Sequence, residues 1–188
     1  MLAALPAAFA MLFFKRADQP RQTVRNVTFG LEFGFVILLL PNAPYVATDL
    51  IHFIDTVRES NASAWKLLGT EFPVYVAFIL FGLLCYSFTT DRLLFALKMR
   101  LGKTAYRVGL AIIPLVSSIG VYLGRVARFN SWDILIDPRG ILVSSKLVTQ
   151  DHKIAKVIIG MWILLIVVHQ FYKVLHDGIR ARYRLKAA

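Results

Sequence analysis

The chain has 188 residues, of which 57% are hydrophobic, and it carries a formal net charge of +11. Its mean hydropathy is +0.62, which excludes an ordinary soluble domain, since such domains are about half apolar. The basic residues lie mostly in short segments beside apolar stretches. That arrangement follows the positive-inside rule of membrane proteins, so no nucleic-acid partner is expected.

Five apolar segments divide the chain, and the last four each have about the twenty residues that a helix needs to cross a bilayer. Their continuous apolarity favours helices, because barrel strands would alternate. We therefore predict an all-α fold, a polytopic transmembrane helix bundle that forms a single membrane domain over residues 1–188. The predicted apolar segments are about 2–14, 27–46, 70–89, 105–127 and 154–175.

The first apolar segment is short for a membrane span. Its residues 1–14 would extend about 21 Å as a helix, against the roughly 30 Å of a hydrocarbon core. Lys15 and Arg16 follow the apolar run, whereas the basic residues of a signal peptide precede it. We expect a short or truncated span, and the sequence leaves open whether it crosses.

A polar motif, P-N-A-P-Y-V-A-T-D-L-I-H, ends the second segment at residues 41–52. Pro41 and Pro44 lack an N–H and disfavour helical geometry in the residue before them, so an unwound backbone is expected here. Freed backbone groups can build a binding site, which makes Asn42 and Tyr45 candidate ligand-binding residues. A plain helix terminus with Tyr45 in the interfacial aromatic belt accounts for the pattern without any ligand.

Three ionisable side chains come at the end of this motif and just after it. In a helix, Asp49 and His52 are i,i+3 neighbours, and so are His52 and Asp55. A histidine between carboxylates can act as a general base, and the same side chains are weak candidates for a divalent-metal site. A solvated helix start has a similar composition, so the sequence names no cofactor.

A second polar motif, G-R-V-A-R-F-N-S-W-D, follows the fourth segment at residues 124–133. Arg125 and Arg128 share one helix face, and guanidinium groups pair with carboxylates and phosphates. They indicate either an ion-pair network with Asp49, Asp55 and Asp133 or a site for an anionic ligand. The candidate ligand-binding residues are Asn42, Tyr45, Arg125, Arg128, Asn130 and Trp132, and the candidate catalytic residues are Asp49, His52 and Asp133.

Two ionisable residues lie deeper in the apolar segments. Glu32 and His169 are each about six residues inside the cytoplasmic end of a segment, roughly 9 Å deep at 1.5 Å per residue. Ionisable groups at depth face the bundle interior and tend to pair. We predict that these two helices pack with Glu32 near His169, directly or through water, as an intramembrane polar pair that is either a structural hydrogen-bonded pair or a proton relay.

The distribution of basic residues predicts the orientation. One side of the membrane receives 14 of the 22 lysines and arginines, in the stretches 15–26, 90–107 and 173–188. That side should be cytoplasmic, so the C-terminus is cytoplasmic and both motifs are extracytoplasmic. Residues 91–107 are expected either to lie along the inner surface or to form a solvated loop.

The two motifs together resemble a bacterial family of small polytopic inner-membrane proteins, catalogued as domain of unknown function 1361. The resemblance covers the chain from about Pro6 to the last segment. It implies a bacterial inner-membrane location and supplies no activity. The positions that it marks as hallmarks are Asn42, Pro44, Tyr45, Asp49, His52, Gly124, Arg125, Arg128, Asn130, Trp132 and Asp133.

Three functions remain open on the sequence alone. The first is a membrane protein whose extracytoplasmic polar site binds an anionic lipid, a lipid-linked ligand or another phosphate or carboxylate, with or without catalysis. The second is a non-catalytic subunit or assembly factor of a membrane complex, which the absence of a recognised catalytic motif favours. The third is a small oligomeric transporter. The expected partners are the bilayer and either another membrane protein or further copies of the chain.

Overall fold

The fold is seen in a computed structural model, which describes residues 2–14, 23–49, 57, 67–125, 139–140 and 152–187. Helices and turns make up these residues, and no strand occurs among them. The predicted fold class, an all-α helical bundle, is confirmed. Continuous apolar sequence produces this result because a helix satisfies its own backbone hydrogen bonds without water.

Five α-helices form the described part of the chain. A 3₁₀ turn, Leu2–Ala4, leads into α1, and a π-helical turn, Leu67–Glu71, leads into α4. A 3₁₀ turn, Val46–Asp49, follows α3. The helices are α1 (Leu5–Phe14), α2 (Thr23–Leu39), α3 (Asn42–Tyr45), α4 (Phe72–Arg125) and α5 (His152–Ala187).

Helix α4 is a hairpin of two antiparallel halves, residues 72–101 and 103–125. The chain reverses at Gly102, whose φ of 90° and ψ of −174° lie outside helical geometry. A residue with a Cβ is strained at such a positive φ, which explains the glycine. Gly109 on the second half packs closely on Leu94 and Leu97 of the first half.

The two ends of the bundle differ in the residues that they gather. At the end that contains the hairpin turn, called here the Gly102 end, the Arg100 guanidinium lies 4.6 Å from the centre of the Phe29 ring. Lys173 of α5 donates to the Tyr106 hydroxyl at the same end. At the opposite end, called the motif end, the first motif meets the last turn of α4. The first motif and Arg125, which belongs to the second motif, therefore lie at the same end of the bundle.

Three stretches are long and apolar enough to span a membrane: Val27–Thr48, Gly69–Arg125 and His152–Tyr183. The second contains both halves of α4. Only 22%, 22% and 17% of their most apolar windows are buried inside the bundle, so most of the apolar surface faces outward, as expected of a membrane protein. The first apolar helix, Leu2–Phe13, is shorter than these three stretches.

The core lies between the two halves of α4 and includes side chains of α1, α2 and α5. Val36, Leu40 and Tyr86 are fully buried in it, and Ala10 of α1 closes one side. The Phe9 and Phe35 rings meet edge to face, with centroids 5.0 Å apart, and fix α1 against α2. Helix α5 packs chiefly on α4, with Leu165 fully buried in the contact.

Candidate functional site

The first motif forms a short helix rather than unwound backbone. Asn42–Tyr45 is helical, and Pro41 before it has helical φ and ψ of −58° and −24°. The prediction of an unwound backbone at this place is therefore wrong. The reason is that Pro44 falls in the first turn of α3, where its missing N–H has no partner within the helix and its fixed φ suits helical geometry.

Two glycines allow this short helix to sit directly on α4. A Cβ at Gly82 would lie 2.5 Å from the Ala43 carbonyl oxygen, and a Cβ at Gly120 would lie 2.4 Å from Pro41 Cγ. Distances this short exclude any side chain at either position. Since the two glycines belong to opposite halves of α4, the first motif is held by both of them.

Arg125 joins the second motif to the first. It ends α4, and its Nη2 donates to the Thr48 carbonyl oxygen at 3.3 Å. Its guanidinium carbon lies 5.8 Å from the centre of the Tyr45 ring, within the range of a cation–π contact. The Thr48 hydroxyl donates in turn to the Tyr45 carbonyl oxygen at 2.6 Å, so this part of the first motif is fixed as it meets the arginine.

Asn42, Tyr45 and Arg125 are the candidate site residues whose side chains the structure describes, and all three are partly buried at the motif end. For Asp49 only the backbone is described, in the turn Val46–Asp49. The other candidates lie outside the described residues: His52, Asp55, Arg128, Asn130, Trp132 and Asp133. The catalytic and metal assignments of these residues stay predictions.

Glu32 and His169 make no direct hydrogen bond with each other among the described residues. His169 is only 2% exposed, and its surroundings include the Ser87 backbone and, as charged groups, Asp91 and Lys173. Glu32 is partly buried on α2, and the described residues show no hydrogen bond or ion pair between it and His169. Hydropathy gives the depth of each group but not the identity of the neighbouring helix. The polar pair of Glu32 and His169 stays a prediction.

A buried polar cluster, which the sequence analysis did not identify, surrounds His169. Ser87, Thr90 and Tyr86 of the first half of α4 are fully buried, and Ser117 of the second half is 1% exposed. The Tyr86 hydroxyl lies beside Thr90 and Ser117. The sequence contained one signal for this cluster. Ser87 and Ser117 lie equally far from Gly102 along the chain, one in each of two apolar segments.

Comparison with known proteins gives a family but no activity. Residues 1–168 match a family model described as "Protein of unknown function (DUF1361)". The matched range includes both polar motifs and the hairpin α4. No curated protein and no solved structure matches the chain.

Proposed function

The chain belongs to the family catalogued as domain of unknown function 1361, and on that basis we propose that it is a multi-pass protein of the bacterial inner membrane. Its motif end would face the extracytoplasmic side and bind an anionic group, either the phosphate of a lipid headgroup or a free phosphate or carboxylate. The single observation that carries this proposal is the placement of Arg125 against the first motif.

The proposed orientation rests on the basic residues. The described residues at the Gly102 end include four basic ones: Arg100, Lys103, Arg107 and Lys173. Arg100 contacts Phe29 there, and Lys173 contacts Tyr106. Cytoplasmic segments retain an excess of lysine and arginine during insertion, so the Gly102 end and the C-terminus belong in the cytoplasm. The two motifs then belong outside.

Arg125 is costly at the outer end of an apolar helix unless it has a role there, because the insertion bias disfavours arginine on that side. Its contacts with the Tyr45 ring and the Thr48 carbonyl hold the guanidinium against the first motif. A guanidinium has five N–H donors in one plane, so it can donate to a carbonyl and also pair with a phosphate or carboxylate.

Arg125 could alternatively serve only the helix. It lies in the last turn of α4, where a positive charge favourably meets the carbonyl end of the helix dipole. Lysine would serve that role nearly as well as arginine, whereas it lacks the fork that binds an anion through two bonds. The Arg125→Lys variant therefore separates the two roles.

The test measures lipid and phosphate binding by native mass spectrometry of the detergent-solubilised protein. We expect retention of phosphatidylglycerol over phosphatidylcholine with the same acyl chains. Arg125→Gln and Arg125→Lys should each weaken that retention about tenfold or more, since a hydrogen bond to a charged group contributes about 1.5–3 kcal/mol. Lys156→Gln removes an exposed cation near the start of α5, and should leave retention unchanged.

The competing outcomes are distinct. Displacement of phosphatidylglycerol by millimolar inorganic phosphate would identify the free anion as a ligand of the same site. Equal retention by wild type, Arg125→Gln and Arg125→Lys, with all three folded, would refute the proposal. Retention lost in Arg125→Gln and kept in Arg125→Lys would show that a positive charge at this position is sufficient, and would overturn the bidentate binding proposed for the guanidinium.

A further inference from the structure

The polar cluster around His169 has an unusual number of buried atoms without partners. The Tyr86, Ser87 and Thr90 hydroxyls and both ring nitrogens of His169 have no partner at hydrogen-bond geometry within the described residues, although Tyr86 lies near Thr90 and Ser117, and His169 lies near the Ser87 backbone. All four side chains are at most 2% exposed. A buried polar group without a partner costs about 1–3 kcal/mol, so a cluster of five such atoms requires an explanation.

Other buried hydroxyl groups on α4 do have hydrogen-bond partners. Thr89 donates to the Cys85 carbonyl oxygen at 2.7 Å, and Ser117 donates to the Ile113 carbonyl oxygen at 2.9 Å. Ser118 donates to the Pro114 carbonyl oxygen at 2.8 Å. These hydroxyls bond back into their own helix, as is common in membrane spans. The atoms without partners are instead concentrated where α4 meets α5.

Helical spacing places the unpartnered groups together. Tyr86, Ser87 and Thr90 fall within one third of the helix circumference at 100° per residue, and Asp91 extends the same face by a turn from Ser87. His169 of α5 lies at the level of Ser87 and is affected by the charge of Asp91. The groups thus form one polar surface inside the bundle.

Charged and polar groups lie between this surface and the Gly102 end. Beyond His169 in that direction come Asp91 and Lys173, and Lys173 donates to the Tyr106 hydroxyl. Leu165, one turn before His169 on α5, and Val121, one turn after Ser117 on α4, are buried apolar side chains at 0% and 3% exposure. The polar groups therefore point to access from the basic end.

We infer that Tyr86, Ser87, Thr90 and His169 form a buried site for water, reached from the Gly102 end, at which His169 exchanges protons with solvent. Water is the ligand that fits, because each bound molecule needs two to four polar partners and can act as both donor and acceptor. An intramembrane histidine that touches such water becomes a protonation site, whereas a histidine packed dry does not exchange. This inference is independent of the anion site proposed at the motif end.

The single cysteine allows a direct test of hydration. In a Cys85→Ala chain, Ser87→Cys would place a thiol in the polar cluster, and Val121→Cys would place one at an equally buried position on the apolar side. A thiol forms its reactive thiolate only where water can reach it. We expect 2-aminoethyl methanethiosulfonate to modify Ser87→Cys at least tenfold faster than Val121→Cys. Equal rates would overturn the inference.

A second substitution tests the role assigned to His169. Adding His169→Leu to the Ser87→Cys chain should lower the modification rate about tenfold, because a leucine offers water no partner. An unchanged rate would remove His169 from the site. Gel filtration and tryptophan fluorescence establish that each variant is folded, and Thr90→Cys replaces Ser87→Cys if the latter does not fold, with the same rates expected and the same result overturning the inference.

Discussion

At the residue scale, Trp162 joins α5 to α4 by a side-chain hydrogen bond. Its Nε1 donates to the Ala111 carbonyl oxygen at 2.9 Å. Hydrogen bonds between helices of this kind stabilise helix contacts within a membrane.

Replacing this indole should weaken the contact between α4 and α5. We expect Trp162→Phe to lower the free energy of unfolding by about 1–2 kcal/mol, from the lost interhelical hydrogen bond and the smaller ring. Phe171→Leu is the control, since Phe171 is 66% exposed on α5 and its truncation should change the value by less than about 0.5 kcal/mol. Titration from mild detergent into sodium dodecyl sulfate measures both. Equal effects would mean that the indole hydrogen bond contributes nothing.

At the scale of elements, the close packing of α3 on the two halves of α4 depends on two glycines. A methyl group at Gly82 or Gly120 would overlap the Ala43 carbonyl or the Pro41 ring, at 2.5 Å and 2.4 Å. We expect Gly82→Ala and Gly120→Ala each to destabilise the protein by about 1–3 kcal/mol, as overpacking does. Because the displaced element carries Tyr45, each should also weaken the retention of phosphatidylglycerol proposed above.

The matched control for these two substitutions is Gly160→Ala in α5. A Cβ there meets nothing within 4 Å, so alanine should be neutral or stabilise the helix by up to about 1 kcal/mol through its higher helix propensity. Unfolding in sodium dodecyl sulfate compares the three. Gly82→Ala and Gly120→Ala as stable as Gly160→Ala would show that α3 is not seated on the glycines as described.

The same elements show which features a sequence determines. The length of each apolar segment predicts a helix, because backbone groups without hydrogen bonds are costly in lipid and a helix satisfies them within the segment. The place where a helix ends is less predictable: α4 continues beyond residue 89 to the turn at Gly102, through residues 91–107, which had been expected at the inner surface or in a loop. The charged side chains there do not interrupt backbone hydrogen bonding, and the glycine was the only local signal for the turn.

Contacts between elements were predictable only in part. The meeting of the two motifs at one end follows from the number of crossings, and the contact of Arg125 with Tyr45 and Thr48 agrees with that reasoning. The residues of α4 around His169 did not follow from the sequence, because depth in the membrane fixes one coordinate and leaves the angular position of each helix free. The polar surface of α4 opposite His169 becomes recognisable only after the hairpin is folded.

At the scale of the whole molecule, most apolar surface of the described helices is exposed. Leu31, Val74 and Val174 are about 70% exposed, at 70%, 67% and 71%. A protein with such a surface requires either lipid or further protein around it. The charged side chains of the described helices are distributed unevenly. They concentrate at the ends of the bundle, and above all at the Gly102 end.

This asymmetry predicts how the molecule is oriented, and single cysteines in a Cys85→Ala chain can measure it. We expect a membrane-impermeant maleimide to label Val57→Cys, 41% exposed, on intact bacterial cells. Lys103→Cys, exposed beside Gly102, should react only after permeabilisation, because the 14 basic residues predicted on that side keep it in the cytoplasm. The reverse labelling would place Arg125 in the cytoplasm, where the insertion bias no longer argues for a ligand. The anion site would then rest on the geometry of Arg125, Tyr45 and Thr48 alone.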